Sequence, residues 1–316
     1  MKPFKKILTL ILLVLVILLI AHLFIGGVRV LRLSDSKVID LDQMISEVKG
    51  ARVIFVGEEH DRQQSHQAEL EIIRKLHQSG VAFAIGLEMF TAKSQEKLDQ
   101  WVAGKLDLQD FIRLYYHDWR MPWPYYRDIL LYARKCHIPL IGLNIPEEIS
   151  SKVAREGFAA LTPAEREQLP QGITCSIDPG YRTYIRKAYA EHPHSGLAFT
   201  HFCEAQMLWN RSMGHYLREY LTQAPKSSAI VLAGIGHAMK RGIPEESFGN
   251  TDYSYKVILP KFPDVDRSVA SSGNADYMLL FPRLTYLFKS SPAQYMNSAS
   301  AWSRFAACGN ILSIGP

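Results

Sequence analysis

The chain lacks most of the features that would take it out of the ordinary globular class. Its four cysteines (Cys136, Cys175, Cys203, Cys308) form no Cys-x-x-Cys pair, so zinc-ribbon and thioredoxin-type frameworks are absent. There is no internal repeat and no low-complexity tract. Glycine (20) and proline (16) are near ordinary usage for 316 residues, which excludes collagen-like and disordered classes. A large charge excess is also missing. Lys and Arg number 36 against 31 acidic residues, and three of the cations (Lys2, Lys5, Lys6) sit at the extreme N-terminus. Without those three, 33 face 31, a balance of +2. No dense basic patch is present, so no nucleic-acid partner is expected.

One segment lacks charge altogether. Ile7 to Ile25 (ILTLILLVLVILLIAHLFI) contains no Asp, Glu, Lys or Arg. A helix of that length spans about 28 Å at about 1.5 Å per residue, close to a hydrocarbon core of about 30 Å. The preceding lysines hold the N-terminus in the cytoplasm by the positive-inside rule. A cleaved signal peptide is the competing reading. It is weaker, because the run exceeds a usual h-region and no Ala-x-Ala site follows. The expectation is a single-pass protein of the inner (cytoplasmic) membrane with its soluble domain in the periplasm. Residues 1–27 are then basic tip and anchor, 28–50 linker and short helix, 51–282 an α/β domain, and 283–316 a tail.

Within the domain, short apolar runs alternate with helical stretches. The runs are RVIFV (52–56), FAIGL (83–87), PLIGL (139–143), LAFT (197–200), AIVLA (229–233) and YKVIL (255–259). Runs this short, bounded by Gly or Pro, read as buried strands. Ser65–Gln78 has helical spacing and stops before Gly80. The alternation predicts an α/β fold: a mainly parallel β-sheet with helices on both faces. Two stretches, about 93–137 and 147–194, read as a helical insertion subdomain. In the second, Thr162-Pro163-Ala164-Glu165 is a helix start with Thr as N-cap. ADYMLLFP (275–282) is expected as an edge strand.

The chemistry sits after the strands. RVIFV is followed by Gly57-Glu58-Glu59-His60-Asp61, FAIGL by Glu88, LAFT by His201 through Gln206, and AIVLA by Gly234-Ile235-Gly236-His237. Ligands of open parallel sheets bind beyond the strand C-termini, so these side chains belong to one rim. Gly57-x-x-His60 and Gly234-x-x-His237 share a form in which Gly permits close backbone approach. Glu58, His60, Glu88 and His237 offer the ligand types of a divalent metal site for Zn, Mn or Fe. The imidazoles equally suit a water-activating base. Which of Glu58 and Glu59 points inward stays open, and His201 and Gln206 are balanced between site and structure. Met207, Leu208 and Trp209 read as core. The aromatic cluster Tyr115, Tyr116, Trp119, Trp123, Tyr125 and Tyr126 reads either as the core of the helical insertion or as a surface for a flat apolar ligand, with Tyr as an iron ligand.

Taken together, GEEHD (57–61), GLEMF (86–90), residues 139–170, AQMLWNRSM (205–213), GIGH (234–237) and GIP (242–244) resemble the ChaN family of bacterial haem-binding, iron-regulated proteins. The resemblance runs from about Arg52 to about Pro282. It implies haem as cofactor, a part in iron or haem uptake and, in many members, a homodimer. It also implies a fold shared with the Tiki, TraB and erythromycin-esterase group, where Gly-x-x-His loops and Glu serve metal-dependent or His-based hydrolysis. Carried over by position, His60, Glu88 and His237 are the catalytic set of a hydrolase alternative. The cofactor-binding candidates are Glu58, Asp61, His201, Gln206 and Arg211. The family attributes haem ligation to a Tyr, and the resemblance matches no one Tyr here to that role. Members are often lipoproteins, whereas no Cys precedes Cys136, so a lipid anchor is not expected.

Overall fold

The computed structural model describes residues 28–171, 179–191, 198–261 and 271–281, together with Leu13. The expected membrane anchor, apart from Leu13, and the expected tail lie outside the described residues. Among the described residues no helix is long and apolar enough to cross a membrane.

From residue 28 the described chain forms a β hairpin, β1 (Arg29–Arg32) and β2 (Lys37–Ile39), and a short helix, α1 (Leu41–Val48). β3 (Val53–Glu58), α2 (Gln63–Gln78) and β4 (Phe83–Thr91) follow. The first helical stretch holds α3 (Gln95–Val102), α4 (Leu108–Asp118) and α5 (Trp123–Lys135) before β5 (Leu140–Asn144). The second holds α6 (Glu147–Glu156), α7 (Pro163–Arg166) and α8 (Pro179–Glu191), and the long helix α9 (Phe199–Gln223) follows it. β6 (Ser228–Gly234), α10 (Ile235–Ala238), α11 (Ile243–Phe248), β7 (Tyr255–Lys261) and β8 (Tyr277–Leu280) complete the described order.

These strands form one eight-stranded sheet, ordered β2-β1-β8-β7-β3-β6-β4-β5. From β8 to β5 every ladder is parallel, while β1 runs antiparallel to both β2 and β8. Three readings from sequence change here. LAFT (197–200) is not a strand: Phe199 and Thr200 open the long helix α9. Four apolar residues are too few to separate a strand from a buried helix segment, and the helical spacing that follows decides the matter. Residues 29–39 are not linker but two strands of the sheet. β8 is therefore covered by β1 and lies inside the sheet rather than at its edge.

Alternation along the strands divides the core into two layers. Ile54, Val56, Leu87, Ile230 and Leu232 pack with the apolar faces of α1 to α5. Val53, Phe55, Val231, Ala233 and Val257 pack with α8, α9, α10 and α11. Each fully buried apolar side chain contributes about 1.5–3 kcal/mol, and the period of two sends successive residues to opposite layers. Trp101 shows how the helical insertion is fixed. Its ring stacks on Phe111 with centroids 3.9 Å apart, and its indole N–H donates to the Leu130 carbonyl at 3.1 Å. Thr162 caps α7 as expected, and with Glu165 it also forms a capping box there.

Candidate functional site

The order β3-β6-β4-β5 places the C-terminal ends of four parallel strands side by side. Glu58 ends β3 opposite Gly234, which ends β6. Glu88 lies in β4 just past its pairing with β6, and Asn144 ends β5. The bulge between Leu87 and Thr91 breaks the regular pairing of β4 with β5 at this point and re-aims the side chains near Glu88. Glu88 ties the rim together. Its Oε2 accepts the Gly234 N–H at 2.6 Å, and its carbonyl accepts Asn144 Nδ2–H at 2.8 Å. The free oxygen, Oε1, stands 4.0 Å from His60 Nε2 and 3.8 Å from His237 Nε2.

The two histidines reach that carboxylate from different surroundings. His60 Nδ1 lies 2.6 Å from Glu58 Oε1, which also accepts the Tyr126 hydroxyl. The His60 ring stands edge to face with Trp119, and its side chain is 33% exposed. Burial opposes charge on His60, but the Glu58 hydrogen bond and the negative charges of Glu88 and Glu58 outweigh it and raise its pKa to about 9. His237 is buried on α10. Its Nδ1 faces Asn210 Oδ1 at 2.7 Å, and Asn210 Nδ2 donates to the Tyr181 hydroxyl at 2.8 Å. That hydroxyl in turn donates to the Gly236 carbonyl. The chain of donors leaves Asn210 Oδ1 as acceptor, so His237 Nδ1 carries the hydrogen and Nε2 presents a lone pair. Burial lowers the His237 pKa, with Glu88 opposing in part. At neutral pH the rim therefore holds a cationic His60 and a neutral His237 on either side of one carboxylate, an acid and a base within reach of one reacting centre.

A cavity of about 290 Å³ opens beside His60, bordered by Trp119, Arg120, Asn144, Ile145 and Trp209. Trp209 meets His237 edge to face at 5.7 Å between centroids. Its lining combines two indoles, Trp119 and Trp209, with polar side chains that include Asp118, Arg120, Asn144 and Glu147, a mixture found in small-molecule sites.

Behind the rim lies a second polar cluster. Glu58, His66 and Glu69 are all buried. His66 Nδ1 is 3.2 Å from Glu58 Oε2 and 3.1 Å from Glu69 Oε2, and its Nε2 donates to the His60 carbonyl at 3.1 Å. Burial works against charge on both glutamates and on His66. For Glu58 the nearby His66 and His60 win, and its carboxyl is held well below the usual range. For Glu69 burial and the Glu58 charge win, and the pKa rises to about 8.

The structure thus gathers His60, Glu88 and His237 at one rim, with Glu58 turned behind His60. Glu58 is the inward residue of its pair, while Glu59 is half-buried and faces Arg62 at 3.8 Å. The other candidates are placed elsewhere. Asp61 is exposed. His201 hydrogen-bonds the Arg155 carbonyl at 3.1 Å, and Arg211 pairs with Glu246 at 3.0 Å. Gln206 is half-buried one turn before Asn210 on α9. Tyr115, Trp123, Tyr125 and Tyr126 are core, while Trp119 borders the cavity and Tyr116 is 51% exposed. Met207 and Leu208 are buried as expected, and the half-buried Trp209 packs against the core and also borders the cavity. Sequence reading missed Asn210, Tyr181, His66 and Glu69. The i,i+3 spacing of His66 and Glu69 on a helix was the one signal available for them.

Comparison with known proteins agrees with this architecture. The ChaN of Campylobacter jejuni, solved with cofacial haem binding, superposes with a TM-score of 0.64 at 18% identity, over 80% of this chain and 96% of that one. An erythromycin esterase in its open conformation gives a TM-score of 0.47 at 13% identity, over 80% and 82%. Protein RETICULATA-RELATED 5, chloroplastic, of Arabidopsis thaliana is 24% identical over 156 residues, which are 47% of this chain and 21% of that protein. The chain thus spans about a fifth of that relative's length. A family model described as haem-binding uptake, Tiki superfamily, ChaN, matches residues 44–246. That match takes in β3 to the first turn of α11 and with them every residue of the rim, so this chain belongs to the ChaN family of the Tiki superfamily.

Proposed function

We propose that the protein binds haem on an exposed face of its helical insertion and serves haem or iron uptake from the periplasmic side of the inner membrane. The observation that carries the reading is family membership across the whole rim domain. The fit of haem to the surface divides in two. The 290 Å³ cavity at His60 is at the small end of ligand pockets and too narrow for a porphyrin. The outer face of α4 fits better. Among the described residues Tyr116 is the exposed tyrosine. Arg113 and Arg120 flank it in sequence, with side chains 73% and 83% exposed and each paired with a surface carboxylate, Asp110 and Glu147, that haem carboxylates would displace. Tyr116 would hold the iron, and the two guanidiniums suit haem carboxylates. Haem, when bound, would supply the iron. What these residues do is grip and orient it.

Titration of the full chain with haem should shift the Soret band, and Tyr116→Phe should weaken that shift at least tenfold. No shift at micromolar haem would overturn the reading. The uncharged run 7–25, preceded by Lys2, Lys5 and Lys6, supports the membrane placement. Protease added to spheroplasts should therefore cleave the domain.

A second reading rests on a separate observation, the opposite charge states of His60 and His237 about Glu88. They suit hydrolysis of a small ester or amide held in the aromatic cavity. Hydrolysis of an ester panel that survives His237→Ala unchanged would remove this reading.

A further inference from the structure

We propose that Glu58, His66 and Glu69 form a buried divalent-metal site behind the rim, distinct from the haem face and from His60, Glu88 and His237. The proposal goes beyond haem binding and does not rest on it. The first support is geometric. Each of the three residues offers one ligand atom, and those atoms all lie within 4.8 Å of one another. Two of the separations, 3.2 and 3.1 Å about His66 Nδ1, match the spacing of neighbouring ligands around an ion bound at about 2.0–2.2 Å.

The second support is the hydrogen inventory. His66 Nε2 faces the His60 carbonyl, which only accepts. The hydrogen of a neutral ring therefore sits on Nε2, and the Nδ1 lone pair points at the carboxyl groups of Glu58 and Glu69. A proton or a metal ion has to lie among them. A proton on Nδ1 reaches Glu69 Oε2 and leaves Glu58 Oε2 unsatisfied. Indeed Glu58 Oε2 is fully buried, 3.2 Å from Nδ1, and makes no hydrogen bond. Glu69 Oε1 is also buried without a partner. Such groups are rare in native interiors and call for an explanation. A cation shared by the three satisfies both carboxylates at once.

The arrangement also has the outer support of metal sites. A ligating histidine usually donates its other N–H to a carbonyl or carboxylate, which fixes its tautomer, and His66 does so to His60. Two carboxylates and one imidazole are a mixed oxygen and nitrogen set, suited to Mn, Fe or Zn rather than to a thiophilic ion. Because Glu58 also holds His60 through its other oxygen, the metal would be a positioning element for the rim and would not meet ligand in the cavity.

The test uses the full chain, stripped with chelator and reloaded with Mn(II) alone. One ion per chain is expected, and pulsed electron paramagnetic resonance should show coupling to a single imidazole nitrogen. His66→Ala and Glu69→Gln should each weaken Mn(II) binding at least a hundredfold, with His237→Ala leaving it unchanged. Coupling to two imidazoles, loss of binding in His237→Ala, or no Mn(II), Fe(II) or Zn(II) retained by the wild-type chain would overturn the proposal. The nitrogen count is read on the wild-type protein, so a variant that fails to fold does not shelter the idea. Haem titration of His66→Ala should still shift the Soret band, which separates this result from the haem reading.

Discussion

The loops after β3 and β6 carry the same Gly-x-x-His spacing and bring their imidazoles to the same carboxylate, yet they leave them in opposite states. His60 is one-third exposed and leans on Glu58. His237 is buried against the neutral amide of Asn210. A carboxylate behind an imidazole stabilises its cation, while an amide behind it holds one tautomer and adds no charge. The motif therefore fixes where a histidine stands, and the residue behind the ring fixes what it can do. For His237 the residues behind the ring, Asn210 and Tyr181, come from elsewhere in the chain; for His60 Glu58 lies within the motif itself, and only Tyr126 is brought in from outside.

The strongest way to break the comparison is to remove its charge. Glu58→Gln keeps the shape and deletes the carboxylate on which His60 and His66 both depend. Breaking a buried pair of this kind costs about 3–5 kcal/mol, to be read by denaturant unfolding. NMR titration of the metal-free variant should find the His60 pKa well below about 9, with His237 little changed. If His60 still titrated near 9, Glu88 alone would be holding the charge. Asn210→Leu tests the other side. It strands the His237 Nδ1–H and removes the donor to Tyr181, a loss of about 1–3 kcal/mol. His60 should titrate as before.

The two histidines should also give pH slopes of opposite sign in the metal-free chain. The folded pKa of His60 is raised to about 9. Its contribution is therefore fully present below about 6.5 and is lost as pH rises through about 9. The folded pKa of His237 is lowered. Its contribution is present above the unfolded value and is lost as pH falls through the folded one. The stability gap between wild type and His60→Gln should shrink from pH 6 to 9, and the gap for His237→Gln should grow from pH 5 to 7. Unfolding midpoints measured across that range check both, and parallel slopes would show that the surroundings of the two rings do not differ in the way described.

How much of this was legible in the sequence follows the same division. Periodicity and strand-end glycines gave the parallel core, the two helical stretches and the convergence of His60, Glu88 and His237, because each depends on local pattern or on the rule that strand C-termini share a rim. Partners brought in by the second layer were not legible. Asn210 lies within a run that reads as core helix, and nothing local shows that its amide meets His237. Tyr126 looks like one aromatic among several until α5 is laid over β3. The hairpin at 29–39 was invisible for a similar reason. Its strands are short and become strands only by pairing with β8, more than 230 residues later.

Glycine at the rim provides the smallest and sharpest test. Gly234 has φ −53° and ψ 148°, values open to any residue, so its identity is a matter of space. A Cβ there would lie 3.1 Å from His60 Nε2 and 3.7 Å from Glu88 Oε2. The ring has solvent on one side and a short hydrogen bond at Nδ1 as a pivot, so it can swing away by a few tenths of an ångström. Gly234→Ala should change stability by no more than about 1 kcal/mol, since lower unfolded-state entropy offsets the crowding. The swing moves Nε2 away from Glu88 while leaving Glu58 in place. The His60 pKa should fall modestly, and that of His237, on the far side of the carboxylate, should stay where it is. A fall in both would mean that Glu88 moves as a unit with the two rings, and that the rim is one coupled group rather than two histidines tuned separately.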